Sequence, residues 1–321
     1  MGTAELSRAN LETLARAQKL QVSAVVTQPD RPKGRDLKPQ SSPVKTLALR
    51  LGLPVLQPPS ARDGKFIAEL RALQPDLIVV AAYGQILPPA VLDLPRHGCL
   101  NVHTSLLPRY RGAAPIQWAI ANGDAETGVT IMKMDAGLDT GGIVAQRRTA
   151  IQPTDDSATL HDRLARLGAE LLAQTIPDYV AGKIQPRPQP AEGVSHAPKI
   201  KKEDGHIDWN LPAKTIWNRL RAFTPWPGAY TFLPDQPSVG RASPRAEDAI
   251  PKPHLLKIWK AEVVEKSDEA GTILSADKSG IVAGCGQGAL RILELQLEGG
   301  RRMSAAEFLA GHPLKAGGQF V

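Results

Sequence analysis

The first 182 residues alternate short apolar runs with segments of helical spacing, and no other feature constrains the fold as strongly. The apolar runs are continuous rather than alternately polar, which is typical of parallel strands covered on both faces. They lie at 22–26, 53–56, 77–82, 99–102 and 129–134, and helical spacing is found at 11–18, 43–51, 65–73 and from 157 onward. Strands that alternate with helices predict an α/β fold with a doubly wound, mostly parallel sheet.

A different pattern fills the C-terminal part of the chain. Residues 183–205 lose the alternation, and three prolines between 186 and 190 predict an extended linker. After it, shorter strand-like pieces are separated by turn residues, as expected of a small antiparallel β-barrel. We therefore expect an α/β domain over 1–182, a linker over 183–205 and a β-barrel domain over 206–321.

Three local features of the second domain carry their own expectations. The polar, proline-rich stretch 234–253 is expected to be a loop insertion. Trp217 and Trp226 are expected to pack against the sheet rather than to stack on bases. Ser304 and Glu307 have the spacing of a capping box, which predicts a last short helix.

Composition excludes several classes of protein. The two cysteines, Cys99 and Cys285, are too few for a disulfide scaffold or a cysteine zinc cage. The longest apolar run, 77–83, is far shorter than the roughly 20 residues that cross a bilayer. The first residues also lack the pattern of a secretory leader. We therefore expect a cytoplasmic protein that does not bind a membrane.

A cluster of positive charge follows the first predicted strand. The chain has 39 lysines and arginines against 32 acidic residues, a net charge of +7, and residues 28–50 contain six basic and two acidic side chains. Four prolines in this segment are expected to keep most of it out of helix and sheet. Most charge runs are simply solvated, but loops that follow strands of an α/β sheet often carry function. The segment is therefore a candidate site for a polyanionic partner.

The segment 101–115 contains the candidate chemistry. It begins at the end of a predicted buried strand, the edge at which open α/β sheets bind ligands. Asn101 and His103 are two residues apart, so in an extended segment both side chains point to the same side. An amide can stabilise a developing oxyanion and an imidazole can move a proton, which are the two requirements of acyl or formyl transfer. A lone histidine at such a place is more often structural, so the pair alone does not decide the function.

A glycine-rich acidic loop follows the last predicted strand of this domain. Residues 134–142 contain three glycines together with Asp135 and Asp139, which indicates a shaped loop. One of these aspartates could orient His103. Both could equally be ordinary turn residues.

No residue makes a convincing nucleophile or metal ligand. Ser105 lacks a Gly-x-Ser-x-Gly elbow, and Cys99 lies inside an apolar strand, where a thiolate is disfavoured. The seven histidines show no metal-ligand spacing. We therefore expect neither a covalent enzyme intermediate nor a metal.

Three segments together resemble the methionyl-tRNA formyltransferase family. They are the run 101–117, the loop Met-Asp-Ala-Gly-Leu-Asp-Thr-Gly at 134–141, and the basic stretch Thr-Gln-Pro-Asp-Arg-Pro-Lys-Gly-Arg at 27–35. The likeness runs through nearly the whole chain and includes Arg-Ala-Phe-Thr-Pro-Trp-Pro-Gly-Ala at 221–229. The asparagine, histidine and aspartate are common to folate-dependent formyltransferases, whereas the basic stretch and the 221–229 segment narrow the resemblance to the tRNA enzyme. The resemblance implies a formyltransferase α/β domain joined to a barrel similar to an oligonucleotide-binding fold.

The resemblance also implies roles for individual residues. The catalytic group would be Asn101, His103 and Asp139. The residues that bind tetrahydrofolate would be Ser105, Leu106, Leu107 and Pro108. Contact with tRNA is expected from the basic loop, through Arg31, Lys33, Arg35 and Lys38, and of these Arg35 matches the loop arginine of the family. Thr104, where many relatives have glycine or alanine, is a departure that removes no catalytic group.

The resemblance implies an enzyme that transfers the formyl group of 10-formyltetrahydrofolate to the α-amine of methionine on initiator tRNA. It would act by direct attack, as a monomer and without a metal. Two other functions stay open at this point. The chain could be another folate-dependent formyltransferase, acting on a nucleotide sugar or on glycinamide ribonucleotide, or a non-catalytic tRNA-binding module.

The start of the chain departs from the resemblance. Relatives open with a short apolar strand that runs into Gly-Thr, whereas this sequence begins Met1-Gly2-Thr3. A first strand is normally interior in a doubly wound sheet, so without it backbone groups of its neighbours would lack partners. We therefore expect Met1 to be an internal methionine of a longer natural chain, preceded by roughly five to eight mostly apolar strand residues.

Overall fold

The computed structural model describes residues 1–33, 38–233, 254–266 and 269–321. Arg35 and the loop insertion expected at 234–253 lie outside the described residues. The chain divides into two compact units. The first contains residues 1–116, 125–153 and 159–199, and the second contains 117–124, 154–158 and 200–321. Residues 183–199, for which the sequence predicts a linker, fall in the first unit.

Eight α-helices and sixteen strands lie in the described parts of the chain. The helices are α1 Glu5–Arg16, α2 Pro43–Arg50, α3 Gly64–Ala72, α4 Pro89–Leu92, α5 Pro115–Ala121, α6 Ser157–Val180, α7 Ala213–Ala222 and α8 Ala305–Gly311. The strands are β1 Val25–Val26, β2 Arg31–Lys33, β3 Lys38–Gln40, β4 Val55–Leu56, β5 Ile78–Val80, β6 Cys99–His103, β7 Arg111–Gly112, β8 Glu126–Lys133, β9 Ile143–Ala150, β10 His196–Ala197, β11 Ala229–Leu233, β12 His254–Val264, β13 Ile273–Asp277, β14 Gly280–Gly284, β15 Ala289–Leu297 and β16 Met303–Ser304. Within these parts, no helix has both the length and the apolar character needed to cross a membrane.

Short-range hydrogen bonds set where two of the helices begin. The Ser42 hydroxyl caps α2 by accepting from the N–H of Lys45, and Pro43 takes the first helical position. The capping box predicted for Ser304 and Glu307 is confirmed at α8, where both reciprocal bonds are present.

The first unit contains parallel and antiparallel strand pairs. β1 pairs with β4 in parallel, and a second sheet has the order β5-β6-β8-β9. β5 and β6 are parallel, whereas β8 is antiparallel to both β6 and β9. The predicted α/β class is confirmed. β9 escaped prediction because half-buried and exposed residues alternate along most of it, so it lacks a continuous apolar run.

Met1 and Gly2 lie between β1 and β5. The Met1 amine donates to the Val79 carbonyl at 2.6 Å, and the Met1 carbonyl accepts from the Ala81 N–H at 3.0 Å. On the other side, the Gly2 N–H donates to the Val26 carbonyl at 2.9 Å. Because each strand bonds to its two neighbours through alternate residues, the N–H groups of Val26 and Val79 also point into this gap.

A cavity of about 460 Å³ adjoins Met1 in the gap between β1 and β5. Its mostly apolar lining includes Val22, Leu70 and Ile176. Backbone groups along two facing edges and apolar side chains around them are the features that accept an extended apolar segment. The expectation of a longer natural chain stays a prediction.

The basic segment forms a two-stranded antiparallel hairpin. β2 pairs with β3, and Pro32 lies directly opposite Pro39. In an antiparallel pair every second residue turns its N–H away from the partner strand, so two opposed prolines cost no ladder hydrogen bond. Strands β2 and β3 together with helix α2 occupy most of residues 28–50, so the expectation that the prolines keep most of this segment out of helix and sheet is wrong.

The second unit is built on one antiparallel sheet. Its strands follow the order β11-β12-β15-β14-β13, and β16 pairs with β15. The predicted antiparallel class is confirmed, and the described strands make an open sheet rather than a closed barrel. The C-terminal residues hydrogen-bond to both outer strands. Val321 bonds in both directions with Phe232 of β11, and the Gly318 carbonyl accepts from Ile273 of β13.

The tryptophans of the second unit differ in exposure. Trp209 is buried and stacks on Phe320 with ring centroids 5.3 Å apart, and Trp217 donates to the Ala261 carbonyl at 3.1 Å. Trp226 is 57% exposed, so the expectation that it packs against the sheet is wrong. It lies between two prolines after the end of α7, where helical spacing no longer directs side chains to the core.

Burial of the Met1 amine makes stability depend on pH. Removal from water lowers the pKa of this amine from its usual 8.0 to about 6. Between pH 6 and pH 8 the unfolded chain therefore binds more protons than the folded chain. We expect the free energy of unfolding to rise across this window by about 2 kcal/mol, measured by denaturant unfolding at a series of pH values.

An engineered N-terminal extension tests whether the pH effect arises from the gap between β1 and β5. About six valine- and isoleucine-rich residues added before Met1 would convert the amine into an amide and offer partners to Val26 and Val79. We expect the melting temperature to rise by roughly 5 °C and the pH effect to disappear. The control extension has the same length, with aspartate and proline at two central positions. Equal melting temperatures for the two extended proteins would contradict this account of the gap.

Candidate active site

Strand β6 carries two predicted site residues into the interior of the first unit. It lies between β5 and β8, with Asn101 in register with Val80 and His103 in register with Thr130. Both neighbours are strands, so the backbone of β6 is fixed on two sides. His103 is only 5% exposed, and Asn101 is half-buried. Their spacing of two places both side chains on the same face.

The two ring nitrogens of His103 have different surroundings. Nε2 lies 2.9 Å from the Tyr110 carbonyl oxygen. Because a carbonyl can only accept, we assign the hydrogen to Nε2. Nδ1 lies 3.7 Å from Oδ2 of Asp139. Nδ1 is therefore the ring nitrogen that faces the carboxylate.

Asp139 contacts both of these residues from the loop between β8 and β9. Its Oδ1 accepts from Nδ2 of Asn101 at 3.4 Å, and its Oδ2 accepts from the N–H of Gly112 at 2.9 Å. The side chain is 12% exposed, and the backbone has a φ of +52°, which aspartate tolerates better than most residues. The structure thus brings Asn101, His103 and Asp139 together, and their catalytic roles stay predictions.

Two glycines allow the chain to close around Asp139. Gly112 has a φ of +121°, and a Cβ there would lie 2.7 Å from the Ala197 carbonyl oxygen. A Cβ at Gly141 would lie 1.8 Å from the Lys133 carbonyl oxygen. Any larger residue would push these segments apart.

The neighbouring acid, Asp135, has a different role. Its Oδ1 accepts from the N–H of Gly137 at 3.0 Å and from the hydroxyl of Thr140 at 2.6 Å. Both partners belong to its own loop, so Asp135 closes a turn. The two aspartates of this loop are therefore distinguished by their partners.

The segment predicted to bind folate turns away from the end of β6. The Ser105 hydroxyl is buried and donates to the Arg109 carbonyl at 2.6 Å, and the Leu107 side chain is also buried. Leu106 and Pro108 are half-buried and present apolar surface. Of the four predicted residues, these two have side chains that a ligand can reach.

Two residues that sequence reasoning missed hold this segment in place. Thr130 Oγ1 donates to the Ser105 carbonyl at 2.7 Å and accepts from the Leu107 N–H at 3.1 Å. Gln146 Nε2 donates to the Leu107 carbonyl and to Thr130 Oγ1, both at 2.9 Å. No motif marks either residue, because both act from neighbouring strands that follow the segment in the chain.

The residues predicted to bind tRNA lie on the β2–β3 hairpin. Arg31 is exposed and donates to Oε1 of Gln28 at 2.8 Å. Lys33 and Lys38 pair through their backbones, whereas Arg35 lies outside the described residues. The hairpin is a separate two-stranded sheet and does not share strands with the Asn101–His103–Asp139 group.

The site combines an amide donor, an imidazole and a carboxylate at the end of a buried strand. Such a set can stabilise an oxyanion and transfer a proton, the needs of acyl-type chemistry. Residues 2–176 match the family model for formyl transferases, and residues 199–313 match that for the formyl transferase C-terminal domain. A methionyl-tRNA formyltransferase of Citrifermentans bemidjiense is 50% identical over 319 residues, which cover 99% of this chain and 94% of that protein. The chain belongs to the methionyl-tRNA formyltransferase family.

One more relative supports that assignment, and two solved structures share the fold. The methionyl-tRNA formyltransferase of Myxococcus xanthus is 50% identical over 320 residues, or 99% of this chain and 96% of that protein. The solved N-formyltransferase of Helicobacter canadensis has a TM-score of 0.62 at 17% identity, over 91% of this chain and 97% of that one. HypX of Aquifex aeolicus has a TM-score of 0.56 at 19% identity, over 89% of this chain and 46% of its own. At these low identities the solved structures share the fold.

A Gly112→Ala variant tests the contact between Gly112 and Asp139. The strained φ and the approach of the new Cβ to Ala197 would displace the N–H that holds the carboxylate. We expect a formyl-transfer rate at least roughly tenfold lower, because small misplacements of reacting groups are costly.

Gly182→Ala is the matched control for this variant. Gly182 also has a positive φ of +75°, but an added Cβ meets no described atom within 4 Å. It should cost about 1 kcal/mol of stability and leave the rate unchanged. A wild-type rate for Gly112→Ala would show that the contact does not position Asp139.

Proposed function

We propose that this formyltransferase transfers the formyl group of 10-formyltetrahydrofolate to the α-amine of methionine on initiator tRNA. The observation that carries the formyl-transfer step is the convergence of Asn101, His103 and Asp139 at the end of β6. Identity near 50% along almost the whole length of methionyl-tRNA formyltransferases supports the same substrate. A nucleotide-sugar substrate has weaker support, because the Helicobacter canadensis enzyme, solved with dTDP-3-aminofucose, is only 17% identical.

A reduced folate as donor is supported by two structural relatives. HypX was solved with tetrahydrofolic acid, and the Helicobacter canadensis enzyme was solved with folinic acid. In this chain Leu106 and Pro108 would supply apolar contacts for the folate ring, as pocket walls commonly do. Ser105 and Leu107 would shape the segment, since Thr130 bonds to both of their backbones.

The proposed reaction is a direct attack without a covalent enzyme intermediate. The neutral amine nitrogen of methionine bonds to the formyl carbon, and the carbonyl electron pair moves to the formyl oxygen. Asn101 Nδ2–H and, with His103 protonated on both ring nitrogens, His103 Nδ1–H would donate hydrogen bonds to this oxyanion. As the oxyanion collapses, the bond from the formyl carbon to the folate nitrogen breaks. The proton lost by the amine then replaces that bond on the folate nitrogen.

The surroundings of His103 suit this use of Nδ1. The hydrogen bond between Nε2 and Tyr110 holds the ring and leaves Nδ1 for proton transfer. Asp139, 3.7 Å from Nδ1, places negative charge beside the nitrogen through which the proton would pass. The amine must be neutral to attack, so the rate should fall at acid pH.

The tRNA would contact the hairpin first. Asp30, at its base, bonds to Lys45 at 2.6 Å and to Gln57 at 2.9 Å. The bond to Lys45 is the main reason that the pKa of Asp30 lies below its usual value. Because Asp30 is paired with Lys45, its charge offsets less of the positive charge of the hairpin, which can then meet phosphates.

A face of the second unit would contact the tRNA as well. The half-buried Trp259 lies beneath the guanidinium of Arg302, 5.2 Å from the ring centroid. Lys257 lies 5.9 Å from the same centroid. An aromatic ring among cations is typical of surfaces that bind nucleic acid.

Alanine variants of the catalytic group test the mechanism. Asn101→Ala, His103→Ala and Asp139→Ala should each lower the single-turnover rate about 10²–10³-fold, because each removes a group used in the transition state. The assay follows labelled formyl from 10-formyltetrahydrofolate to charged initiator tRNA, to other charged tRNAs and to small amines. Asp135→Ala, in the same loop, should keep the rate within about threefold, since it only closes a turn. Near wild-type rates in two of the three variants would sink the assignment.

Removal of Arg35 tests the tRNA site. Arg35→Ala should weaken tRNA binding and reduce the slope of log affinity against log salt by about 1, because one phosphate contact is lost. Folate affinity should stay unchanged. The control is Arg16→Ala, whose side chain pairs with Glu12 on α1. A collapse of folate affinity in Arg35→Ala would show that the assignment of this loop to tRNA binding is wrong. Formylation of a sugar nucleotide in preference to tRNA would favour the alternative substrate.

A further inference from the structure

The segment between Lys183 and Ala197 reaches the candidate active site. Arg187 forms two backbone hydrogen bonds with Ile143, of 2.7 and 2.8 Å, just after the Asp139 loop. β10 pairs in parallel with β7, which contains Gly112. The segment therefore lies along both stretches of chain that meet at the Asp139 carboxylate.

The side chain of Gln189 joins these stretches. Its Nε2 donates to the carbonyls of Asp139 and Gly141, both at 2.8 Å. Its Oε1 accepts from Nε and Nη2 of Arg111, at 3.1 and 2.8 Å. Both amide hydrogens and the amide oxygen are thus used. One half-buried side chain connects the loop after β8, strand β7 and the 183–197 segment.

These bonds hold the chain on both sides of the Gly112–Asp139 contact, through the backbone of Asp139 on one side and through the side chain of Arg111 on the other. Asp139 has a φ of +52°, and Gln189 holds the carbonyl of that same residue. Arg111 precedes Gly112, whose N–H binds the carboxylate. A shift of either stretch would move the carboxylate relative to Nδ1 of His103.

We propose that Gln189 is a positioning residue for Asp139. It acts through the backbone carbonyls of Asp139 and Gly141 and through the guanidinium of Arg111, and it does not touch the reacting atoms. The proposal rests on the catalytic role of Asp139 in the proposed function. It assigns a part in catalysis to a segment for which the sequence predicts only a linker.

Gln189→Glu is the most informative variant. Glutamate has the same size and keeps the acceptors for Arg111, but it has no N–H for the two carbonyls and brings a negative charge close to them. We expect kcat to fall about 10–100-fold, with KM for folate and tRNA changed less than about threefold. Gln189→Ala should lower kcat in the same way. Because alanine removes the N–H donors without adding a charge, this variant separates the loss of the donors from the effect of the added charge. Gln185→Ala is the control, because Gln185 is exposed in the same segment and bonds only locally to the Gly182 carbonyl among the described contacts.

A double-mutant cycle separates positioning from general damage. If Gln189 acts through Asp139, Gln189→Glu should lower kcat little further in the Asp139→Ala background. Equal fractional losses in both backgrounds, or a wild-type kcat for Gln189→Glu with a folded protein, would overturn the proposal. Wild-type activity of Asp139→Ala alone would instead refute the proposed mechanism. Melting temperatures of all variants show whether each protein is folded. Gln189→Asn keeps the amide group, but its side chain is too short to reach both partners, so this variant should not restore the wild-type rate.

Discussion

The hydrogen bond from the Gly112 N–H to Oδ2 of Asp139 is the contact on which the rest of the candidate site depends. At 2.9 Å it is the shortest described contact of that carboxylate. Asn101 and His103 lie farther away, at 3.4 and 3.7 Å, so neither fixes its orientation as strongly. The backbone reaches the carboxylate only because position 112 has a φ of +121° that glycine adopts without strain. The orientation of the Asp139 carboxylate toward Asn101 and His103 thus depends on the backbone conformation of Gly112.

The part of the site that could be predicted from sequence follows local geometry. Asn101 and His103 were found because strand periodicity places residues i and i+2 on one face. Asp135 and Asp139 could not be distinguished by composition or spacing, and only the family resemblance selected Asp139. Their difference lies in their partners. Asp135 bonds within its own loop, whereas Asp139 bonds to Gly112, a residue that no local pattern connects with it.

Contacts between segments far apart in the chain escaped prediction for the same reason. Gln189 bonds to a carbonyl 50 residues away, and Thr231 bonds to the carbonyl of Val321, 90 residues away. The prolines near Gln189 correctly indicate extended backbone, but extended backbone can pair with a strand as readily as it can span solvent. The sequence pattern therefore predicts extended backbone around Arg187 but not its partner strand in the first unit.

The two edges of strand β5 have different roles. One edge faces the gap beside Met1, and the other pairs with β6, which contains Asn101 and His103. Ile78 bonds through its N–H to the chain at the start of β6, whereas Val79 and Ala81 bond to Met1 on the opposite edge. Alternate residues serve the two edges, so contacts made in the gap beside Met1 do not compete with the β5–β6 ladder. The positions of Asn101 and His103 are set by that ladder and by β8. The gap therefore bears on the stability of the unit, and the geometry of the site is determined on the other side of the same strand.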